Sequence, residues 1–286
     1  MIAVITPVYN GAETIIKSIQ SLLVQTYTDW LAIIVNDGST DSTTELLCAF
    51  ENDPRFRIIN IPQNKGRGAA RNIGLKEALE SGATYMCMLD ADDEYRADKL
   101  EMQANFMDAH PNITLCSSSI GLINHTGMYR ILESSAAYLD LYYKDYFSMV
   151  SVPHASSIIR LSDVDVTFNE SMRYSEDQDF LRRLLFKKRY CFIPEILYYY
   201  YRDASFSTDK YKQSLVATYE SFRQLPITRK NLARLWITSS FKFLVYVILR
   251  IFRSEHIYFN RIGRIPTAEE ICKFKKNEVL LRQKFR

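Results

Sequence analysis

Short apolar runs rich in β-branched residues alternate with helix-like segments in the first third of the chain, and this alternation limits its possible folds. The runs occupy residues 2–5, 31–35, 56–61 and 85–89. Strand and helix in regular alternation are typical of a sheet covered by helices on its faces. We therefore predict an α/β fold with a Rossmann-type mixed, mainly parallel sheet flanked by helices.

Helical spacing of apolar residues marks the connections between these runs. Ile15, Ile19 and Leu22 repeat at helical intervals after the first run, and Ala70 and Ala78 do so after the third. Gly82 follows the second of these helices, where a C-terminal cap is expected.

The pattern becomes less regular after residue 112. A strand is predicted near residues 156–161, and a helix at Ser175, where Gln178 has capping-box spacing ahead of Phe180 and Leu181. From Asp209 onward the chain is predicted to be helical.

Composition indicates a folded protein. The 286 residues are 47% apolar and include only 9 Gly and 8 Pro, which is typical of a globular chain. The five cysteines have no close spacing, and this favours reduced core thiols in the cytosol over a zinc site or disulfides. No basic segment followed by an apolar run opens the chain, so we expect no secretion signal.

Charge is distributed unevenly. From Arg223 onward there are 15 basic and 4 acidic residues, a net charge of +11, against −8 for residues 1–222. The basic end suggests an anionic partner, with acidic phospholipid as the first choice, although a solvated basic helical face is an open alternative. Its longest apolar run, residues 243–249, is far shorter than the ~20 residues of a membrane span, which leaves an interfacial amphipathic helix possible.

Polar residues follow three of the predicted strands. They occupy positions 6–10, 36–42 and 90–94. The carboxyl ends of parallel strands lie at one edge of a sheet, where such folds bind ligands. We therefore predict that the three segments share one site.

The densest acidic cluster is L-D-A-D-D-E at residues 89–94. Crowded carboxylates raise one another's pKa unless a cation lies among them. Mg²⁺ or Mn²⁺, bound by one or two carboxylates and by substrate phosphates, would satisfy such a cluster. A solvent-facing acidic turn is the alternative.

Two other segments strengthen the prediction of a nucleotide-binding site. Asp37, in N-D-G-S-T-D-S, is suited to accept hydrogen bonds from a base or a ribose, and Tyr9, in T-P-V-Y-N, offers an aromatic wall. Each segment alone is more often a turn.

In this order, the motifs resemble the family 2 glycosyltransferases, which have the GT-A fold. The likeness covers residues 2–93 and resumes at M-R-Y-S-E-D-Q-D-F (172–180) and Y-Y-R-D-A-S-F-S (200–207). It implies an inverting, metal-dependent enzyme that moves a sugar from a nucleotide diphosphate donor, most commonly UDP, to an acceptor hydroxyl.

The resemblance also assigns roles to individual residues. Asp93 would ligate the metal, Asp92 would contact the metal or the ribose, and Asp177 would be the catalytic base. The remaining donor-binding set is Pro7, Tyr9, Asn10, Asp37, Arg67, Arg71, Asp90 and Arg202.

Several of these roles have alternatives. Glu176 is adjacent to Asp177 and could be the base or orient the acceptor, while Asp177 itself could simply favour the positive end of its helix. Arg202 could pack along tyrosine rings instead of binding the diphosphate. His154 is a candidate for the acceptor cleft or a structural histidine.

Three other functions fit the sequence less well. A dehydrogenase should carry its glycine fingerprint after the first strand, but G-R-G-A-A-R follows the third and has Arg71 in place of the last glycine. A sugar-phosphate nucleotidyltransferase should have a glycine-rich loop where T-P-V-Y-N stands. A non-catalytic binding or scaffold protein should have lost an acid at the metal or base position. All four of those acids are present, namely Asp92, Asp93, Glu176 and Asp177.

We predict a GT-A domain at residues 1–208, divided into a nucleotide-sugar half (1–111) and an acceptor half (112–208), and a basic helical segment at 209–286. Expected partners are a nucleotide-sugar and a saccharide or lipid-linked saccharide, with no nucleic acid. Expected surroundings are the cytoplasm and the inner face of the cell membrane, in bacterial surface polysaccharide synthesis.

Overall fold

The computed structural model of the protein describes residues 1–133, 141–142, 144–145, 152–201, 208–252 and 263–285. Its strands are β1 (Ile2–Val8), β2 (Trp30–Asp37), β3 (Phe56–Ile61), β4 (Tyr85–Met88), β5 (Glu94–Tyr95), β6 (Leu115–Asn124), β7 (Gly127–Leu132), β8 (Leu141–Tyr142), β9 (Ile158–Arg160) and β10 (Arg189–Tyr201). Its helices are α1 (Ile15–Leu23), α2 (Thr43–Leu47), α3 (Arg67–Glu80), α4 (Lys99–Ala109), α5 (Glu176–Leu184), α6 (Thr208–Arg223), α7 (Arg229–Ile251) and α8 (Ala268–Lys284).

These strands form one mixed sheet in the order β3-β2-β1-β4-β9-β6-β10-β5, with β7 beside β6 and β8 beside β10. The first four strands of that order run parallel, as predicted. Strand β9 lies antiparallel between β4 and β6, and β6 and β10 pair in parallel. The predicted α/β fold with a mixed, mainly parallel sheet is therefore confirmed.

Side chains of β1 alternate between two apolar cores, one on each face of the sheet. Ile2 and Val4 pack in the same core as α1, whereas Ala3 and Ile5 pack in the core that includes α3 and α5. This follows from the two-residue period of a strand. The cores fix the strand ends that carry the polar loops.

Helix α3 lies very close to β1 at Gly74. A Cβ added to Gly74 would collide with Cγ2 of the buried Ile5 side chain. The glycine therefore allows the helix to approach the centre of the sheet.

The predicted capping box at Ser175 is wrong, although α5 does begin at the next residue. Ser175 has a φ of +59°, and its side chain makes no capping hydrogen bond to the helix. Its hydroxyl shares a hydrogen bond with the Ser214 hydroxyl of α6 instead, at 3.0 Å. The Ser175 hydroxyl, which a capping box would use, is thus bound to α6.

The five cysteines are free, as predicted. Their predicted placement in the core holds for Cys87, Cys116 and Cys191 but is wrong for Cys48 and Cys272, which are exposed. Cys48 lies in the short 3₁₀ turn that follows α2, and Cys272 lies on α8.

Helix α8 packs against the sheet. The Phe274 ring meets the Tyr199 ring of β10 at 4.9 Å between centroids. The Asn277 side chain accepts a hydrogen bond from the Ala97 amide at 2.9 Å and donates to the Tyr95 carbonyl at 3.4 Å. Among the described residues, no helix is long and apolar enough to cross a membrane.

Candidate active site

The loops that follow β1 and β2 are tied together by hydrogen bonds. The Asn10 amide donates to the Ser39 hydroxyl at 2.9 Å, and the Asn10 side-chain oxygen accepts from the Thr40 amide at 2.8 Å. Asn10 itself has a φ of +52°, a conformation that Asn tolerates better than most residues. The predicted convergence of the first two polar segments is therefore observed, and the Asn10 side chain is used to join them.

Tyr9 and Pro7 occupy different depths in this region. About half of the Tyr9 side chain is exposed, so its ring remains accessible to a flat partner. Pro7 is partly buried in β1 opposite Val35.

Asp37 fixes the loop that leads into α3. Its two carboxylate oxygens accept hydrogen bonds from the Lys65 and Gly66 amides, at 2.8 and 2.9 Å. Each oxygen retains a further lone pair. Asp37 thus holds the start of α3 at the same sheet edge as the other loops.

The three aspartates after β4 occupy three different environments. Asp90 accepts a hydrogen bond from Arg71 at 3.1 Å, Asp92 is exposed, and Asp93 is fully buried. Desolvation in the cleft, followed by the neighbouring Asp90 charge, raises the pKa of Asp92.

Asp93 faces strand β10. Its carboxylate accepts hydrogen bonds from the Tyr198 hydroxyl at 2.7 Å and the Tyr201 amide at 2.9 Å. Burial raises its pKa well above the usual range, with further contributions from Asp90 and Asp92. Each oxygen accepts one hydrogen bond from β10 and retains a further lone pair, and the role of Asp93 as a metal ligand stays a prediction.

Of the three aspartates, Asp92 is the exposed one, and the predicted metal site at Asp92 and Asp93 stays a prediction. In the described part of the chain, no group of three or more Asp, Glu, His or Cys side chains is arranged around a common centre. Mg²⁺ typically needs only one or two carboxylates when substrate phosphates complete its coordination. The electrostatic repulsion between Asp90 and Asp92 is what such a cation would relieve.

Glu176 is enclosed by two arginines. Arg71 binds its carboxylate at 2.6 Å, and Arg67 approaches it at 3.2 Å. Arg71 and Glu176 are buried, whereas more than half of the Arg67 side chain is exposed. Burial raises the pKa of Glu176, and the two guanidinium groups oppose that shift.

Arg71 joins the acidic loop to helix α5. One guanidinium nitrogen donates to Glu176 and another donates to Asp90. Burial disfavours its charge, but the Asp90 and Glu176 carboxylates outweigh that effect and raise its pKa. The predicted donor-binding arginines, Arg67 and Arg71, are therefore brought to the site, but both are bound to Glu176.

Asp177 lies in the first turn of α5, partly buried beside this network. Its charge acts on Arg71, Glu176 and His154. Among the described residues, no hydrogen bond or ion pair occupies its carboxylate. Of the two predicted candidates for the base, Asp177 is the one whose oxygens are available.

His154 is buried near these charges. Its ring packs edge-on against Phe168 and Phe180, at 5.5 and 5.7 Å between centroids. Burial, reinforced by Arg71, lowers its pKa to about 4, so the ring is neutral at pH 7. Its Nε2 atom has no hydrogen-bond partner in the described part of the chain.

A groove opens beside the start of α5, between the preceding loop and helix α6. Its volume is about 600 Å³, and it includes apolar and charged side chains. Its lining residues are Ser171, Met172, Arg173, Tyr174, Asp209, Lys212, Gln213, Val216, Ala217, Glu220 and Gln224. The sequence pattern did not predict this groove, because its two walls are separated by about 40 positions along the chain.

Tyr198 was also missed as a site residue. Its hydroxyl donates to Asp93 and accepts from the Asp90 amide at 3.3 Å. The tyrosine run was visible in the sequence, but nothing in it distinguished Tyr198 from its neighbours. Arg202 lies outside the described residues, and its role stays a prediction.

Comparison with known proteins identifies related chains. The model of "Glycosyl transferase family 2" matches residues 3–166. An uncharacterized glycosyltransferase of Rickettsia felis is 38% identical over 128 residues, which are 45% of this chain and 20% of that protein.

A second relative is WfgD of Escherichia coli, a UDP-Glc:α-D-GlcNAc-diphosphoundecaprenol β-1,3-glucosyltransferase. It is 34% identical over 128 residues, covering 45% of this chain and 49% of WfgD. The chain thus spans half or less of the length of these two relatives.

The crystal structure of S. aureus TarS residues 1–349 in complex with UDP-GlcNAc has a similar fold. The TM-score is 0.63 at 18% identity, and the match covers 100% of this chain and 93% of the TarS fragment.

Proposed function

Because the chain belongs to glycosyl transferase family 2, we propose that it moves a sugar from a nucleotide diphosphate donor to an acceptor hydroxyl, with inversion at the anomeric carbon. One observation carries this proposal. Arg71 joins Asp90, after β4, to Glu176, at the start of α5. The exposed Asp92 and the available Asp177 are therefore held beside a single cleft.

Asp177 is the proposed catalytic base. It takes the proton of the acceptor hydroxyl while that oxygen bonds to the anomeric carbon from the face opposite the nucleotide. The bond from the anomeric carbon to the phosphate oxygen breaks, and its electron pair leaves with the nucleotide diphosphate. Glu176, neutralised by two arginines, acts as a positioning residue that holds α5 in place.

The donor would lie across the carboxyl ends of β1, β2 and β4. Tyr9 offers its exposed ring to the base, and Asp37 retains lone pairs for a ribose or base donor group. UDP is the preferred nucleotide, supported by the names of WfgD and of the TarS complex.

A divalent cation, Mn²⁺ or Mg²⁺, is part of this proposal. Asp92, with Asp90, would hold it, and its charge would stabilise the departing diphosphate. Asp93, the next residue in the chain, is anchored to β10 by two hydrogen bonds and stays a predicted ligand beside Asp92.

The acceptor is proposed to enter through the groove between the loop at 171–174 and helix α6. Its volume of about 600 Å³ suits a small saccharide, and it lies next to the first turn of α5. We propose a lipid-linked saccharide in bacterial surface polysaccharide synthesis, as the WfgD name suggests by analogy. Such an acceptor would place the enzyme on the cytoplasmic side of a membrane.

The test is a transfer assay with UDP-glucose and UDP-GlcNAc, Mn²⁺ and a synthetic α-GlcNAc-diphosphate lipid. We expect UDP release that depends on the acceptor, and a β-linked product from the α-linked donor by NMR. A product that retains the donor configuration would overturn the proposed chemistry. Failure to turn over either sugar, with the fold intact by circular dichroism, would favour the non-catalytic binding protein.

A further inference from the structure

Helix α7 has one side packed on α6. The Tyr246 side chain is buried, and its ring lies 5.0 Å from the Tyr211 ring of α6. Phe243 contacts the same tyrosine at 6.1 Å between ring centroids. These contacts fix which face of α7 is turned inward.

The opposite face of α7 carries a row of large apolar side chains in contact with solvent. Each is between 43% and 71% exposed. They are Trp236, Ile237, Phe241, Leu244, Ile248 and Ile251, and they are called the apolar stripe below. At ~100° per residue they fall within an arc of about 140°, over a length of about 23 Å.

Continuous exposed apolar surface of this kind marks an interaction site. We propose that the apolar stripe docks the protein on an anionic lipid bilayer, with α7 lying in the plane of the membrane interface. The inference deepens the proposed function, and rests on it in one respect, because a lipid-linked acceptor would be met at such a surface.

Charge favours a lipid surface as the occupant. Residues 223–286 carry a net charge of +11. Arg229 and Lys230 of α7 are exposed and, at ~100° per residue, lie on the same side of the helix as the apolar stripe. Each basic residue near an anionic membrane contributes attraction at physiological salt. Trp236 and Phe241 provide the aromatic side chains that interfacial helices insert at the headgroup level.

Tryptophan fluorescence offers a direct readout with the full chain. The protein has two tryptophans, of which Trp30 is buried in the core and Trp236 is exposed on the apolar stripe. We expect vesicles of equal parts phosphatidylglycerol and phosphatidylcholine to shift the emission to the blue, and brominated lipid to quench it. Phosphatidylcholine alone should produce at most a small shift.

Vesicle sedimentation with matched variants completes the test. The triple variant Phe241→Ser, Leu244→Ser, Ile248→Ser should bind anionic vesicles at least tenfold more weakly than the wild type. The control variant Leu79→Ser, Val279→Ser, Leu280→Ser removes three exposed apolar side chains on α3 and α8 and should bind like the wild type. Equal binding by both variants, or no wild-type binding, overturns the proposal.

Two further measurements separate the alternatives. A wild-type dimer in analytical ultracentrifugation that the stripe variant converts to a monomer, without vesicle binding, would assign the stripe to a second copy and overturn the membrane proposal. UDP titration separates this inference from the proposed function. Vesicle binding without UDP binding would support the membrane proposal and overturn the proposed donor site. UDP binding without vesicle binding would overturn only the membrane proposal.

Discussion

At the start of α5, two adjacent carboxylates differ in burial and in hydrogen-bond partners. Glu176 is buried between Arg71 and Arg67, whereas Asp177 is partly exposed beside them. Both Glu176 oxygens accept hydrogen bonds from these arginines, at 2.6 and 3.3 Å, and the side chain is buried, so an acceptor hydroxyl has little access to that carboxylate. Sequence alone left both residues open as the base, since spacing cannot show which of two neighbours is occupied.

This difference predicts different results for two conservative variants. Asp177→Asn should lower kcat by about 10²–10⁴, the usual contribution of a general base, with KM for the donor and the urea midpoint nearly unchanged. Glu176→Gln should lower the free energy of unfolding by up to about 3 kcal/mol, because it breaks a buried ion pair.

Steady-state kinetics and urea denaturation on both variants test the assignment. Each variant is the control for the other, since both replace a carboxylate by its amide in the same helical turn. The assignment would be wrong if Glu176→Gln removed activity at wild-type stability while Asp177→Asn remained active.

Among the secondary-structure elements, α3 and β1 show how the sheet edge is positioned. Gly74 brings the helix onto Ile5, and the start of the same helix carries Arg67 and Arg71 to Glu176. The packing of α3 on β1 therefore sets the position of the two arginines that bind Glu176.

Replacing Gly74 tests the close approach of α3 to β1, because the sign of the change in the free energy of unfolding depends on it. Valine has a better helix propensity than glycine, so Gly74→Val at an open position would stabilise the helix by a few tenths of a kcal/mol. The collision with Ile5 should instead destabilise the protein by about 1–3 kcal/mol. Urea denaturation measures the difference, with Lys76→Val, an exposed position on the same helix, as the control. A Gly74→Val variant at least as stable as the wild type would contradict this packing.

Secondary structure in the first third was predictable because each run obeyed its own local periodicity. Four strands and the helices between them match the predicted positions closely. The antiparallel insertion of β9 between β4 and β6 was not predicted, because strand order depends on long-range pairing. The Ser175 cap failed for the same reason, since a hydroxyl on α6 competes for its side chain.

For the whole molecule, the division into a domain at residues 1–208 and a segment at 209–286 stays a prediction. The structure shows contacts between the two parts. Phe274 and Asn277 of α8 pack against β10 and the segment around β5, about 75 to 180 positions earlier in the chain. No sequence pattern signals such a distant contact. Helix α8 thus supports β10, whose Tyr198 and Tyr201 hold Asp93.

The proposed donor site also depends on the whole sheet, because it requires the loops after β1, β2 and β4 to meet at one edge. The sequence predicted this convergence from strand polarity, and the hydrogen bonds between the Asn10 and Ser39–Thr40 loops confirm it for β1 and β2. The hydrogen bonding of Asp93 to β10 could not be predicted, since β10 joins the sheet about 100 residues later.

Calorimetric titration of UDP and GDP, in Mn²⁺ and in EDTA, tests the central claim most directly. UDP should bind the wild type in Mn²⁺, and EDTA or Asp92→Asn should weaken that binding at least tenfold. Asp29→Asn is the matched control, because Asp29 pairs with the Met1 amino group at the opposite end of the sheet, and it should bind UDP like the wild type. Absence of nucleotide binding, or binding that neither the metal nor Asp92 affects, would contradict a metal-assisted donor site at this edge.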